Sequence, residues 1–481
     1  MKGIRFTQKH ERRKEKFAHY GSRTIISFDL SSVRRHHSTA EDSSYFRKGF
    51  SMAKEYYLIS DLHIGGDDQL QICDFEDELI QFLKKLEAKS SETELIIIGD
   101  VFGLWELTTA EEAEKLDVII EHHVGLFAQL KATGERIKIT LIPGNHDYEL
   151  ACYPEYVQKL RDFNVLLEQK ISITRDICGK KIWIEHGMQD DANNNMPDFG
   201  NPHAQPVGYF VTHKLVGTAG RMSKRGKYNW LRDIQSVSPM EETPGWIISN
   251  YFYREMNPLL RYSIVPFLIL FNVSLLYSAG ALLENFGVLP TRIFLDDYLT
   301  SRLGLVGNLL NFVFFVNGII ISILILVSIP LGLFIRDARK TLERFGVLTS
   351  ELVLDEQKSC YLEAAQEVFL SHPDVAVYVF GHTHEAFLET SGKRAVINTG
   401  TWLKILEHVP SRFKWLPDIY WPSFRLNYFC IGEDAGRIVI DYQRIEKEAP
   451  QELSLLQRIA AVRRKESPSV PERTILNADD L

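Results

Sequence analysis

Apolar residues along the 481-residue chain gather into short runs separated by polar, glycine-containing turns. Five runs, residues 56–60, 95–98, 137–142, 182–184 and 375–380, read as β-strands. Between them, residues 75–89, 110–133 and 358–372 carry the spacing of amphipathic helices, and 451–464 reads as a short one near the C-terminus. His122 and His123, on the second of these, read as surface residues. Strand-then-helix alternation of this kind implies a mixed α/β sheet.

Two stretches break the pattern. Residues 263–283 and 303–335, 21 and 33 residues long, carry no charge. A bilayer core needs about 20 apolar residues in helix, and both stretches meet that length. Pro266 and Pro330 fall near their ends. If both span, the flanking chain lies on one side. Arg254 and Arg261 precede the first stretch, and Arg336, Arg339, Lys340 and Arg344 follow the second. The connecting loop sets Arg292 and Arg302 against Glu284, Asp296 and Asp297. The more basic side is expected to face the cytosol. A soluble pair of buried apolar helices is the competing reading.

Composition narrows the picture. The net charge of −8 argues against a general nucleic-acid binder. Cys73, Cys152, Cys178, Cys360 and Cys430 are scattered without metal-site spacing and read as reduced thiols. Residues 1–52 are basic and polar and read as a flexible extension; a transit peptide, or a start at Met52, would explain them as well. Residues 214–232 hold six basic residues and no acid, either a docking patch for anionic headgroups or a solvated segment beside the membrane. Tyr209, Phe210, Tyr228 and Trp230 add aromatic surface there, fit for an acyl chain, a base or core packing. The end of the chain, rich in Pro and Ser, reads as disordered.

The chemistry sits just past the strands. Asp61-Leu62-His63, Gly99-Asp100, Gly144-Asn145-His146-Asp147, His186-Gly187 and Gly381-His382-Thr383-His384 each follow an apolar run. They are thus expected on loops at one sheet edge, where α/β proteins collect functional groups. Carboxylate, amide and imidazole donors suit hard or borderline divalent cations. Seven such ligands with one shared carboxylate would hold two metals about 3.5–4 Å apart, a geometry used for in-line attack on phosphorus.

This string of motifs resembles the calcineurin-like metallophosphoesterases, over residues 56–200 and 375–402. A narrower resemblance, to UDP-2,3-diacylglucosamine diphosphatases, rests on the segment from Gly99 to Trp105 and on the run from Glu185 through His186, Gln189 and Asp191 to Asn194. The chain departs from that group in having His146 after Asn145, where Arg is common, and in its apolar insertion. The resemblance implies an α/β, four-layer metallophosphoesterase fold, two facing mixed sheets flanked by helices, and the two uncharged stretches add to it an inserted transmembrane helical hairpin. The parts would be the extension 1–52, a first catalytic part 53–250, the hairpin 251–345, a second catalytic part 346–446 and a tail 447–481.

Carried over, one metal would take Asp61, His63, Asp100 and His384, and the other Asp100, Asn145, His186 and His382. His146 would stabilise charge or protonate the leaving oxygen, and Asp147 would orient its neighbours. The cofactors would be two divalent ions, manganese foremost, with iron, zinc or magnesium as alternatives. The expected activity is hydrolysis of a lipid-linked phosphoester or pyrophosphate such as UDP-2,3-diacylglucosamine. The partners would be that substrate and membrane lipids, with no nucleic acid and no protein partner. A tethered phosphodiesterase or phosphatase of soluble substrates, and a non-catalytic membrane scaffold, are the alternatives.

Overall fold

A computed structural model describes residues 55–216, 218, 222, 231–237, 242–296, 298–344, 354–413, 416–448, 452–462 and 470–477. The extension 1–52 and most of the basic segment 214–232, with Tyr228 and Trp230, lie outside the described residues.

In chain order the strands are β1 (Glu55–Ile59), β2 (Thr93–Ile98), β3 (Lys138–Ile142), β4 (Val165–Leu167), β5 (Ser172–Ile177), β6 (Lys180–Glu185), β7 (Val375–Phe380), β8 (Phe387–Ser391), β9 (Arg394–Asn398), β10 (Lys404–Val409), β11 (Ile419–Phe424), β12 (Asn427–Asp434), β13 (Arg437–Arg444) and β14 (Arg473–Asn477). One sheet runs β14-β13-β12-β1-β2-β3-β4 and a second runs β5-β6-β7-β9-β8, with β10 and β11 as a separate pair. Strands β1 to β4 are parallel, as are β6, β7 and β9; the outer partners are antiparallel.

The period-2 alternation of side chains builds the layers. Tyr56 and Leu58 of β1 and Ile96 and Ile98 of β2 meet Ile182, Ile184, Val377 and Val379 of the second sheet in one apolar core. Their neighbours Tyr57, Ile59, Leu95 and Ile97 point the other way, onto a helical layer. There the helix Glu76–Glu87 buries Leu79, Phe82, Leu83 and Leu86 at helical spacing. The far side of the second sheet is covered by the helix Leu354–Ser371 through Tyr361, Ala365 and Phe369. Two mixed sheets face each other between two helical layers.

Three expectations change. The single helix over 110–133 is two, Glu114–His122 and Val124–Gly134. His123 breaks it and is buried, because its Nδ1 pairs with Glu76 Oε2 at 2.7 Å. The C-terminal helix is shorter, Leu455–Ala460, and residues 473–477 of the supposedly disordered tail form β14, whose Leu476 enters the inter-sheet core. Pro266 and Pro330 lie inside continuous helices, Pro258–Asn285 and Leu305–Arg344, rather than at their ends.

Among the described residues one helix, Leu305–Ala338, is long and apolar enough to cross a membrane, with a mean hydropathy of 2.8 and only 17% of that window buried. The stretch 263–283 lies within the neighbouring helix. The two helices meet where Tyr277 packs on Phe314, ring centroids 4.9 Å apart. Beyond that crossing Leu326, Ile329 and Phe334 are exposed. The connecting loop is tied down by Glu284, which accepts the backbone N–H groups of Ile293, Phe294 and Leu295.

Candidate metal centre

Every residue singled out from the motifs sits at the C-terminal end of a parallel strand. Asp61 and His63 follow β1, Asp100 follows β2, Asn145 and His146 follow β3, His186 follows β6, and His382 and His384 follow β7. The loops turn sharply there. Asp61, His63, Asp100, His382 and His384 all have positive φ, between 45° and 69°. A non-glycine residue in that region costs about 1–3 kcal/mol and persists only where its surroundings hold it. Gly99, at φ 73°, is required by contact as well: a Cβ there would lie 2.5 Å from His186 Nδ1.

The side chains converge. His63 Nε2 lies 3.2 Å from His384 Nε2, although 321 residues separate them. Two imidazole nitrogens at that distance need a proton or a cation between their lone pairs. His384 Nε2 is 3.3 Å from Asp61 Oδ1, and His186 Nε2 is 3.3 Å from Asp100 Oδ2 and 3.1 Å from Asn145 Oδ1. His186 Nδ1 lies 2.8 Å from the Ile98 carbonyl. A carbonyl only accepts, so Nδ1 carries a proton and Nε2 faces the cluster.

Two groups of donor atoms, Asp61/His63/His384 and Asp100/His186/His382, each lie within 4.8 Å of one another. Among the described residues Asp61 Oδ1 is buried with no hydrogen-bond donor. An orphan carboxylate oxygen facing imidazoles is what a cation site leaves when its cation is left out of account. The donor set therefore fits divalent metal.

Electrostatics agree. Burial and the neighbouring His146 push His63 down to about 3, so its ring is neutral. Burial opposes ionisation of Asp100, yet the rings of His186 and His146 outweigh it and hold the carboxyl well below its usual range.

His146 sits beside the cluster, its ring 4.5 Å from that of His63 and 4.8 Å from that of Trp105. Its Nδ1 pairs with Glu106 Oε1 at 2.7 Å. Burial works against charge on the ring, but Glu106 and Asp100 overcome it and lift His146 to about 9. Its donor atom also lies within 4.8 Å of those of His63 and Asp100.

Three further residues matter that the sequence did not single out as ligands. Asp147 accepts four backbone N–H groups, from Gly144, Asp100, Val101 and Phe102, and so clamps the loop that carries Asp100. Glu106 follows Trp105 directly, one residue past the segment read as diagnostic; an acid abutting a buried motif was its only signal. Asp191 accepts from His382 Nε2 at 3.0 Å. It lies in the quoted run after His186, but nothing local marks its partner.

Residues 56–279 match the model of the family described as calcineurin-like phosphoesterase. The chain is similar, at 11% identity and a TM-score of 0.25, to a solved conserved uncharacterized protein from Streptococcus pneumoniae TIGR4, described as a predicted phosphoesterase; the match covers 84% of this chain and 97% of that one. A search of the curated proteins gives no match. The motif series, the strand-end clustering of its donors and the family match lead to one conclusion: residues 56–279 are similar to a calcineurin-like phosphoesterase domain, on an α/β architecture with mixed sheets.

Proposed function

We propose that the protein is a membrane-held, dinuclear metal-dependent phosphoesterase that hydrolyses a lipid-linked phosphoester or pyrophosphate, with UDP-2,3-diacylglucosamine as the representative substrate. The observation that carries the reading is the convergence of Asp61, His63, Asp100, Asn145, His186, His382 and His384 in one cluster, with a buried carboxylate oxygen that no donor among the described residues satisfies. Asp61, His63, Asp100 and His384 would hold one metal, and Asp100, Asn145, His186 and His382 the other. Oxygen and imidazole donors favour manganese, with iron, zinc or magnesium as alternatives.

Bound divalent ions would supply Lewis acidity at phosphorus and a water of lowered pKa. The chain's own residues set the stage for that chemistry. Asp147 fixes the Asp100 loop by its four accepted N–H groups. Glu106 orients the His146 ring at Nδ1 and keeps it cationic beside the cluster. A cation so placed stabilises charge on a phosphoryl oxygen or delivers a proton to the leaving oxygen.

The lipid part of the reading is supported by the exposed apolar helix Leu305–Ala338 and by its uncharged neighbour in Pro258–Asn285. Together they would form a membrane hairpin and keep the catalytic domain at a lipid surface. Its basic flanks, Arg254, Arg261, Arg336 and Lys340 among them, favour a cytosolic domain.

The test is a screen of the detergent-purified, metal-loaded protein. Turnover of bis-p-nitrophenyl phosphate that chelation abolishes is expected, and its absence would leave a scaffold. Hydrolysis of lipid-linked nucleotides well above their soluble headgroups is also expected. Equal rates on both would make it a tethered phosphodiesterase of soluble substrates.

A further inference from the structure

At the root of the apolar helix pair a second apolar surface is left open. The C-terminal helix Leu455–Ala460 begins with a capping box, Ser454 and Gln457 satisfying each other's backbone N–H groups. Its inner face is anchored: Ala460 and Ala461 pack with Phe252 and Tyr253, which lie five or six residues before the helix Pro258–Asn285 begins. Glu452 ties the helix start to Arg254 at 3.1 Å, and the Ala460 carbonyl accepts from the Arg412 backbone N–H at 2.7 Å. The helix is thus packed against the segment that leads into the apolar pair.

Among the described residues the outer face is unpartnered. Leu455 is 75% exposed and Ile459 53%, at i and i+4, so they share one face of the helix, and Val462, 42% exposed, follows beyond its extended C-cap. Leu259, in the first turn of the adjoining apolar helix, is 80% exposed. An exposed apolar face on a helix packed against the root of the apolar pair is wetted on an isolated soluble domain and covered at a bilayer interface. Charge is complementary. Arg412 and Arg458 are exposed beside that face, and Arg463, Arg464 and Lys465 follow it in sequence, with no acid between Arg458 and Lys465. Apolar side chains flanked by clustered cations are the composition of helices that lie in the plane of anionic lipid headgroups.

We infer that the C-terminal helix is an interfacial anchor, its exposed Leu455 and Ile459 seated in the headgroup layer of an anionic membrane. The inference rests on the membrane reading above, and adds a second attachment about 200 residues along the chain from the first. Two attachments fix the tilt of the catalytic domain against the lipid plane, where a single flexible root would let it swing.

The experiment uses the full chain in vesicles of phosphatidylcholine and phosphatidylglycerol. A photo-reactive benzoylphenylalanine is placed singly at Leu455, Ile459, Leu324 or Lys393, and adducts are identified by mass spectrometry. Lipid adducts are expected at 455 and 459 as at 324 in the apolar helix, with none at 393, and their yield at 455 and 459 should fall when phosphatidylglycerol is omitted. Adducts at 324 with none at 455 or 459 would overturn the anchor and leave the membrane reading standing. No adduct at 324 would overturn the membrane reading itself. Crosslinks from 459 to a second copy of the chain would replace lipid by self-association and refute the assignment.

Discussion

Asp147 offers the sharpest test of how the site is held. Its two carboxylate oxygens are shared among four backbone donors: Gly144 at 2.6 Å and Asp100 at 3.3 Å on Oδ1, Val101 at 2.7 Å and Phe102 at 3.3 Å on Oδ2. In Asp147→Asn one oxygen becomes an amide NH₂, a donor set among donors. Whichever way the amide turns, two buried N–H groups lose their acceptor. Each such loss costs about 1–3 kcal/mol, so the variant should be destabilised by about 2–6 kcal/mol. At roughly 2–4 °C per kcal/mol for a domain of a few hundred residues, the melting temperature should fall by about 5–20 °C. The same change frees the backbone of Asp100, the carboxylate assigned to both metals. Loss of such a supporting group lowers metal affinity by about 10- to 100-fold. Thermal unfolding of the metal-free protein in detergent, followed by calorimetric Mn²⁺ titration of the folded protein, reads both effects. A variant that melts as the parent does and binds Mn²⁺ as tightly would refute the clamp.

Asp100→Asn should lower metal content measured by elemental analysis and abolish turnover; two metals with near-normal activity would sink the bridging assignment. His146→Ala should retain both metals yet lower kcat by about 10²- to 10⁴-fold, the usual size of an acid–base contribution; a collapse of metal content would make His146 a ligand instead. Arg175 donates to both oxygens of buried Glu94 and to Glu168, so Arg175→Ala should cost about 3 kcal/mol in urea unfolding near neutral pH. Burial raises the Glu94 carboxyl, but Arg175 wins and holds it below 4.5; its contribution is present above that value, so the difference should narrow as pH falls below it. The protein should resist salt and alkaline extraction, and in a cysteine-free background Val288→Cys, 66% exposed in the connecting loop, should react with an impermeant thiol reagent from outside while Lys393→Cys should not; labelling of both from one side would mean the helices do not span.

Much of this arrangement was legible because each functional residue lies within a few positions of an apolar strand. Leu95 to Ile98 could only be a buried strand, and the Gly99-Asp100 turn after it had to surface at the sheet edge. What stayed hidden depends on partners distant in sequence. His123 reads as exposed until Glu76, 47 residues earlier, is seen beside it. Glu106 gains its role only from His146, 40 residues on. Strand β14 pairs along Arg437–Asp441, and no local pattern in residues 473–477 names that edge. Pro266 and Pro330 mark helix boundaries by local rule, yet both helices run through them.

The pairing of β6 with β7 has a consequence for how the molecule is made. The two strands are neighbours in the sheet, with Ile182 opposite Val377, although the whole apolar insertion lies between them. During synthesis β6 must therefore wait, with one edge unpaired, while nearly two hundred residues emerge. His382 and His384 emerge only after both apolar helices have been synthesised. At about 5–20 residues per second that delay is roughly ten to forty seconds, a long exposure for an open strand. Closure of the donor cluster, which needs His382 and His384, would then be a late step of folding, and a chain cut short before β7 would lack both imidazoles.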